Sequence, residues 1–173
     1  MRGMGGVRGA DLVGLWATGR RRQFDFRAGV SMTAWWLCES AVRLRAQINA
    51  RWPGRDHSSD GAVGDASHLS RKSDHNPSAS SNPAWVVRAI DIDESFATDD
   101  DPQAERLVAE LIATDDPRLA YIIFEGLIYS RRRHWLASVY TGANRHEHHV
   151  HVSFSALGDH DGTPFRCPVL EVV

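Results

Sequence analysis

The sequence predicts a small mixed α+β domain with a central antiparallel sheet flanked by helices. The chain has 173 residues and is 42% hydrophobic, which suits the core of one domain. Two stretches have helical periodicity, and several short stretches have the composition and alternation of strands. These helices and strands follow one another without the regular βαβ order of a parallel sheet.

The N-terminal segment, residues 1–31, differs in composition from the rest of the chain. It is rich in Gly and Arg, and such composition rarely orders itself. We expect either a flexible arm or upstream sequence translated from a misplaced start, with Met32 as the more natural first residue. An arm that touches an anionic surface is a less favoured alternative. The predicted single domain then covers residues 32–173.

The first predicted helix runs from Trp35 to Arg51 and ends at Pro53-Gly54. Apolar residues recur along it at spacings of four, three and four, namely Leu37, Ala41, Leu44 and Ile48. Residues 55–83 are polar and are predicted as one long loop. A loop of that length is unusual inside a compact domain and is often functional.

Strands and a second helix are predicted in the C-terminal half. Val, Ile and alternation predict a strand from Trp85 to Asp93. The second helix has Asp101 as its N-cap and Pro102 in its first turn. Its buried face comprises Ala104, Leu107, Val108, Leu111 and Ile112. Further strands are predicted at Tyr121–Phe124, Leu127–Ser130 and His149–Phe154.

Composition disfavours several classes of partner. The net charge is −2 and the pI is near 6.5, whereas nucleic-acid binders usually gather a basic excess on one face. No apolar run reaches the ~18–20 residues of a membrane span, and no secretory signal is visible. Cys38 and Cys167 form no CxxC, so we expect neither a disulfide framework nor a thiolate zinc site. We expect a monomer that is made in the cytoplasm.

Metal-ligand residues occur in three segments beside predicted strands or turns. These are SDHNP at 73–77, AIDID at 89–93 and HEHHVH at 146–151. Because side chains alternate along a strand, His149 and His151 share one face, ~6.6–6.8 Å apart. That spacing suits one imidazole on a metal and another beside the water that the metal activates. Taken singly, each motif is also compatible with a solvated histidine run or a surface carboxylate, but together they favour a metal site.

These motifs resemble the M15-type zinc peptidases, which comprise D-Ala-D-Ala carboxypeptidases and phage endolysin peptidases and are related to lysostaphin-type enzymes and the Hedgehog domain. The resemblance extends over residues 37–154, and the set SDHNP, AIDI and HVHVS is specific. It implies a Hedgehog/D-Ala-D-Ala-peptidase-like fold. It also implies that Zn²⁺ is bound by His75, Asp91 and His151.

The resemblance also implies roles around the metal. His149 would lie beside the activated water, Ser73 would help to hold the site or the substrate, and Arg71 is a weaker match to an arginine that contacts substrate or oxyanion. The general base is open between His149 and Glu147, and the strand geometry favours His149. Trp135 is a candidate for lining the substrate groove.

The chain departs from the common pattern between the first two ligands. Fifteen residues separate His75 from Asp91, and Trp85 stands about where relatives have Gly. We expect an inserted loop, SASSNPAW, at the edge of the cleft. Among the other histidines, His146 could reach the cleft, and the surface set is His57, His68, His134 and His160.

The function that the resemblance implies is hydrolysis of peptidoglycan stem peptides by a zinc-dependent endopeptidase or D,D- or L,D-carboxypeptidase. Because no export signal is visible, such an enzyme would act like a phage lysin, released from the cytoplasm onto the cell wall at lysis. The alternative is a non-catalytic zinc-binding domain of the same fold that binds wall or protein. A metal nuclease is disfavoured by the near-neutral pI.

Overall fold

The computed structural model describes residues 35–64, 72–77, 84–96 and 102–171. Within these ranges the chain forms a mixed α+β domain, which confirms the predicted class. No helix in them is both long and apolar enough to cross a membrane. Several predictions concern residues outside these ranges, namely 1–31, His68, Arg71, Asp101 and most of the inserted loop.

Five strands form one antiparallel sheet, and two short strands form a separate parallel pair. Two α-helices and three 3₁₀ turns complete the described part of the chain. The strands are β1 (Trp36–Leu37), β2 (Val86–Val87), β3 (Ala89–Asp93), β4 (Leu119–Phe124), β5 (Leu127–Ser130), β6 (Ala137–Val139) and β7 (His149–Phe154). The order in the large sheet is β3-β7-β4-β5-β6, and β1 pairs with β2. The helices are α1 (Glu39–Arg51) and α2 (Gln103–Ala113), and the 3₁₀ turns are Arg131–Arg133, Ala156–Gly158 and Pro168–Leu170.

One apolar core joins both helices to one face of the sheet. Helix α1 contributes Leu44 and Ile48, α2 contributes Leu107 and Leu111, and all four side chains are fully buried. The core-facing residues of β3 and β7 are also fully buried, namely Ile90, Ile92, Val150 and Val152. Because each such side chain contributes about 1.5–3 kcal/mol on burial, this alternation holds the opposite face of β3 and β7 in register.

Three predicted boundaries are wrong because long-range backbone pairing overrides local pattern. Helix α1 begins at Glu39 rather than Trp35, since Trp36 and Leu37 pair in parallel with Val86 and Val87. The predicted 85–93 strand is interrupted, with Trp85 at φ 65° and the amide of Arg88 bonded to Asp74. Strand β4 begins at Leu119, two residues earlier than predicted, and β6 was not predicted.

The loop that follows α1 is fixed by a buried ion pair. The guanidinium of Arg55, 4% exposed, donates two hydrogen bonds to Asp60 and one to Asn49. Asp60 also accepts from the backbone N–H of Asp93, which ties the loop to the end of β3. Burial favours a higher pKa for Asp60, but the bonds from Arg55 and Asp93 outweigh it and lower the pKa to about 2.

We expect Asp60→Asn to destabilise the fold by about 2–3 kcal/mol at neutral pH, because Arg55 is left buried without its counter-charge. A carboxylate whose pKa is lowered on folding contributes stability that is present above its unfolded pKa of about 4 and is lost as the pH falls toward 2. The difference in unfolding free energy between wild type and variant, measured with urea, should therefore be about 1 kcal/mol smaller at pH 3 than at pH 7. A gap that is the same at both pH values contradicts this, and Glu105→Gln on the exposed face of α2 is the control.

Candidate metal centre

The pairing of β3 with β7 brings the predicted ligands together. In this antiparallel register Asp91 lies directly opposite His151, and Asp93 lies opposite His149. Residues directly opposite each other share a face, so all four side chains leave the sheet on the side away from the core. The carboxylate of Asp93 is nevertheless occupied, since it accepts hydrogen bonds from the serines at 58, 59 and 95. Asp91 is therefore the carboxylate that is available to a ligand.

A loop on the free edge of β3 delivers His75. Gly61 exchanges both backbone hydrogen bonds with Asp91, at 3.1 and 3.0 Å. Gly64 then donates its N–H to the carbonyl of His75. The hydroxyl of Ser73 accepts from the N–H of His75 at 3.3 Å, which supports the turn on which the ligand stands. A Cβ on Gly61 would lie 3.0 Å from Oδ2 of Asp91, so glycine permits this close approach.

Three donor atoms converge in a triangle at this face. Nδ1 of His151 lies 2.9 Å from Oδ1 of Asp91. Nε2 of His75 lies 3.1 Å from that nitrogen and 3.3 Å from that oxygen. Ligands of a tetrahedral zinc ion are about 3.3–3.5 Å apart, since each is ~2.0–2.2 Å from the metal. The triangle therefore has nearly the size of one face of such a tetrahedron.

The outer hydrogen bonds of the two imidazoles orient their rings for metal binding. Nδ1 of His75 lies 2.6 Å from the carbonyl oxygen of Ala62, which can only accept, so Nδ1 carries a proton and Nε2 is the nitrogen left for a metal. Nε2 of His151 lies 3.0 Å from the hydroxyl of the fully buried Ser153, which leaves Nδ1 of that ring for the metal. The remaining nitrogens, Nε2 of His75 and Nδ1 of His151, therefore face the triangle, as in ligating histidines.

The electrostatics keep the carboxylate ionised. Burial alone would raise the pKa of Asp91, but the hydrogen bonds from His151 and His75 and their charges hold it far below its usual value. Burial would lower the pKa of His75, but the bond and the charge of Asp91 outweigh it and raise that pKa. Asp91 thus stays an anion that holds protons on the neighbouring imidazoles, and a bound cation would displace those protons.

Two more histidines stand beside the triangle. His149, with a side chain 14% exposed, has Nε2 at 3.8 Å from Oδ1 of Asp91. His146 is 7% exposed, and its ring centre lies 4.9 Å from that of His149 and 5.1 Å from that of His151. Burial lowers the pKa of both histidines. The pKa of His146 falls to about 4, because the charges of His151 and His149 add to the effect of burial. The sequence predicts of His146 only that it could reach the cleft.

The remaining predicted site residues make their polar contacts elsewhere. Glu147 is exposed and pairs with Arg145 at 3.1 Å, which leaves His149 as the candidate base that lies at the triangle. The indole N–H of Trp135 donates to Asp115 at a separate surface pocket. Arg71 lies outside the described residues. The histidines predicted at the surface and described here, namely His57, His134 and His160, are exposed.

The cysteines take no part in the site. Cys38 and Cys167 are buried free thiols, as the sequence predicted. Burial raises the pKa of each to about 12, so neither is a thiolate at neutral pH. The donors of the candidate site are therefore imidazoles and a carboxylate.

Ser153→Ala should weaken zinc binding by about 10–100-fold, because the variant removes the hydroxyl that is hydrogen-bonded to Nε2 of His151 and orients its ring. The measurement is zinc affinity by competition with a chromophoric chelator. Ser138→Ala on β6, the edge strand farthest from β3 in the sheet, is the matched control. A change of less than about twofold for Ser153→Ala would show that this hydroxyl does not tune the site.

No protein-family model, curated protein or solved structure matches the chain. The resemblance to M15-type peptidases therefore remains a prediction from motifs, and the site is interpreted from its own donor atoms.

Proposed function

We propose that this chain is a zinc-dependent peptidase of the M15 type that hydrolyses peptide bonds in peptidoglycan stem peptides. The observation that carries the proposal is the triangle formed by His75, Asp91 and His151 with the half-buried His149 beside it. We extend the proposal to a Hedgehog/D-Ala-D-Ala-peptidase-like fold. The five-stranded antiparallel sheet with its helices is compatible with that fold.

The donor set supports zinc as the metal. Two imidazole nitrogens and one carboxylate oxygen suit a borderline cation, and the outer hydrogen bonds of both rings leave one nitrogen of each for the metal. Structural zinc sites usually have four protein ligands, whereas catalytic ones keep three and leave a position open. When bound, zinc would polarise the scissile carbonyl and lower the pKa of water.

The chain's own residues supply orientation and proton transfer. His75, Asp91 and His151 fix the reacting centre on the rigid face of β3 and β7. Nε2 of His149 has no hydrogen-bond partner among the described residues. This nitrogen is therefore available to take a proton from water and later to pass one to the leaving amine. The ring of Tyr121 stacks on His151 with centres 5.5 Å apart and limits its movement.

The substrate class comes from the motifs, which resemble those of cell-wall peptidases. In this proposal the protein acts as a monomer on the wall after release from the cytoplasm and binds no nucleic acid. Ser73 supports the turn that carries His75 and is a candidate for a substrate contact. A zinc domain without turnover would need only the three ligands, whereas the proposed peptidase also uses the partnerless nitrogen of His149 for proton transfer.

The proposal is tested by mass spectrometry of purified peptidoglycan after incubation with the full chain. We expect new peptide ends when one equivalent of zinc is present and none after chelation, and the masses identify the bond. An unchanged digest, from protein shown to hold one zinc per chain, would falsify the peptidase and favour the non-catalytic zinc-binding domain. Asp115→Asn, at the separate surface pocket, should cut as wild type does.

A further inference from the structure

We propose that the chain binds a second divalent cation, weaker than the first, between Asp91, His146 and His149. This inference goes beyond the proposed function and depends on the first site only through Asp91, which both positions share. Each of the three residues offers one ligand atom, and these atoms lie within 4.8 Å of one another.

The first argument is the state of the two ring nitrogens. Nδ1 of His146 and Nε2 of His149 are buried, and neither has a hydrogen-bond partner within the described part of the chain. Buried polar atoms are nearly always paired, so an unpaired couple on adjacent rings needs a reason. A cation that takes up lone pairs from both rings supplies one.

The second argument is the way His146 is held. Its backbone is in the left-handed region at φ 57°, which costs energy for a residue other than glycine. Two hydrogen bonds maintain it, from the N–H of Glu125 to its carbonyl and from its own N–H to the side chain of Asn144. Its ring packs edge-on against Tyr140. Several interactions therefore hold this imidazole next to His149.

The third argument is distance. Nε2 of His149 lies 3.8 Å from Oδ1 of Asp91, and two ligands ~2.0–2.2 Å from one cation can be up to about 4 Å apart. Oδ1 is also the oxygen nearest to His75 and His151, so the two cations would share one carboxylate. The sharing of one negative charge and the repulsion between the cations make the second site the weaker one.

A consequence concerns His149. A cation on Nε2 would occupy the lone pair that the proposed reaction needs for proton transfer. Zinc beyond one equivalent should therefore inhibit peptide cleavage, and the inhibition should follow occupancy of the second site.

The test is zinc binding to the full chain by equilibrium dialysis, with zinc alone as the probe. Wild type should bind two ions in separable steps. His146→Ala and the ring-preserving His146→Phe should bind one, with the affinity of the tight step unchanged within about threefold. His148→Ala is the matched control, because that ring is 82% exposed and should leave both steps intact.

Saturation of wild type at one ion per chain, or two ions still bound by folded His146→Phe, overturns the inference. Failure of the proposed function gives a different result. His75→Ala should lose the tight step and keep the weaker one, and an unchanged tight step in that variant contradicts the ligand triangle without bearing on His146.

Discussion

His151→Ala is expected to abolish tight zinc binding and peptide hydrolysis together. The side chain of His151 is only 5% exposed. Its Nδ1 lies 2.9 Å from Oδ1 of Asp91 and is one of the three converging ligand atoms. Structural zinc sites, usually with four ligands, bind zinc by about 10–16 kcal/mol, so losing one ligand of comparable strength should weaken binding on the order of 100–1000-fold. The measurements are zinc content after dialysis and the peptidoglycan digest.

Two further variants guard this result against a simple folding defect. His75→Ala removes a ligand that stands on a loop instead of the central sheet, and it should give the same joint loss. His160→Ala changes an exposed histidine and should behave as wild type. Full zinc content or full activity in folded His151→Ala would contradict the ligand assignment.

His149→Ala is expected to separate metal binding from catalysis. The tight zinc should remain, because Nε2 of His149 is 3.8 Å from Asp91 and outside the triangle. The turnover number should fall by about 10²–10⁴-fold, which is the usual contribution of a positioned acid or base. Zinc content and initial rates on one peptidoglycan preparation measure both quantities.

The neighbouring histidine and glutamate provide the controls for this prediction. His148→Ala and Glu147→Gln alter exposed side chains next to His149 and should retain most of the activity. A large loss in Glu147→Gln together with an active His149→Ala would assign the base to Glu147 instead. Loss of the tight zinc in His149→Ala would place this residue among the primary ligands.

The faces of the site strands could be predicted from the sequence because alternation fixes them. Val150 and Val152 have to face the core, so His149 and His151 have to leave on the other side. The same rule places Asp91 and Asp93 on one face and cannot choose between them. The choice depends on Ser58 and Ser59, which engage Asp93 from a loop more than thirty residues away.

Other features depend on contacts that no local pattern contains. The position of His146 results from a left-handed backbone and from bonds to Glu125 and Asn144, so its spacing from His149 did not reveal it as part of the site. The start of α1 was misplaced because Trp36 and Leu37 pair with a strand some fifty residues later. Strand β6 is short and bears a 70% exposed Val139, so it lacks the buried alternation by which strands are recognised.

The most direct test of the metal centre is anomalous diffraction at the zinc edge from crystals of the full chain grown with one equivalent of zinc. We expect one strong peak ~2.0–2.2 Å from Nε2 of His75, Oδ1 of Asp91 and Nδ1 of His151. A peak bound by other residues, or three unliganded side chains in protein that contains zinc, would contradict the account.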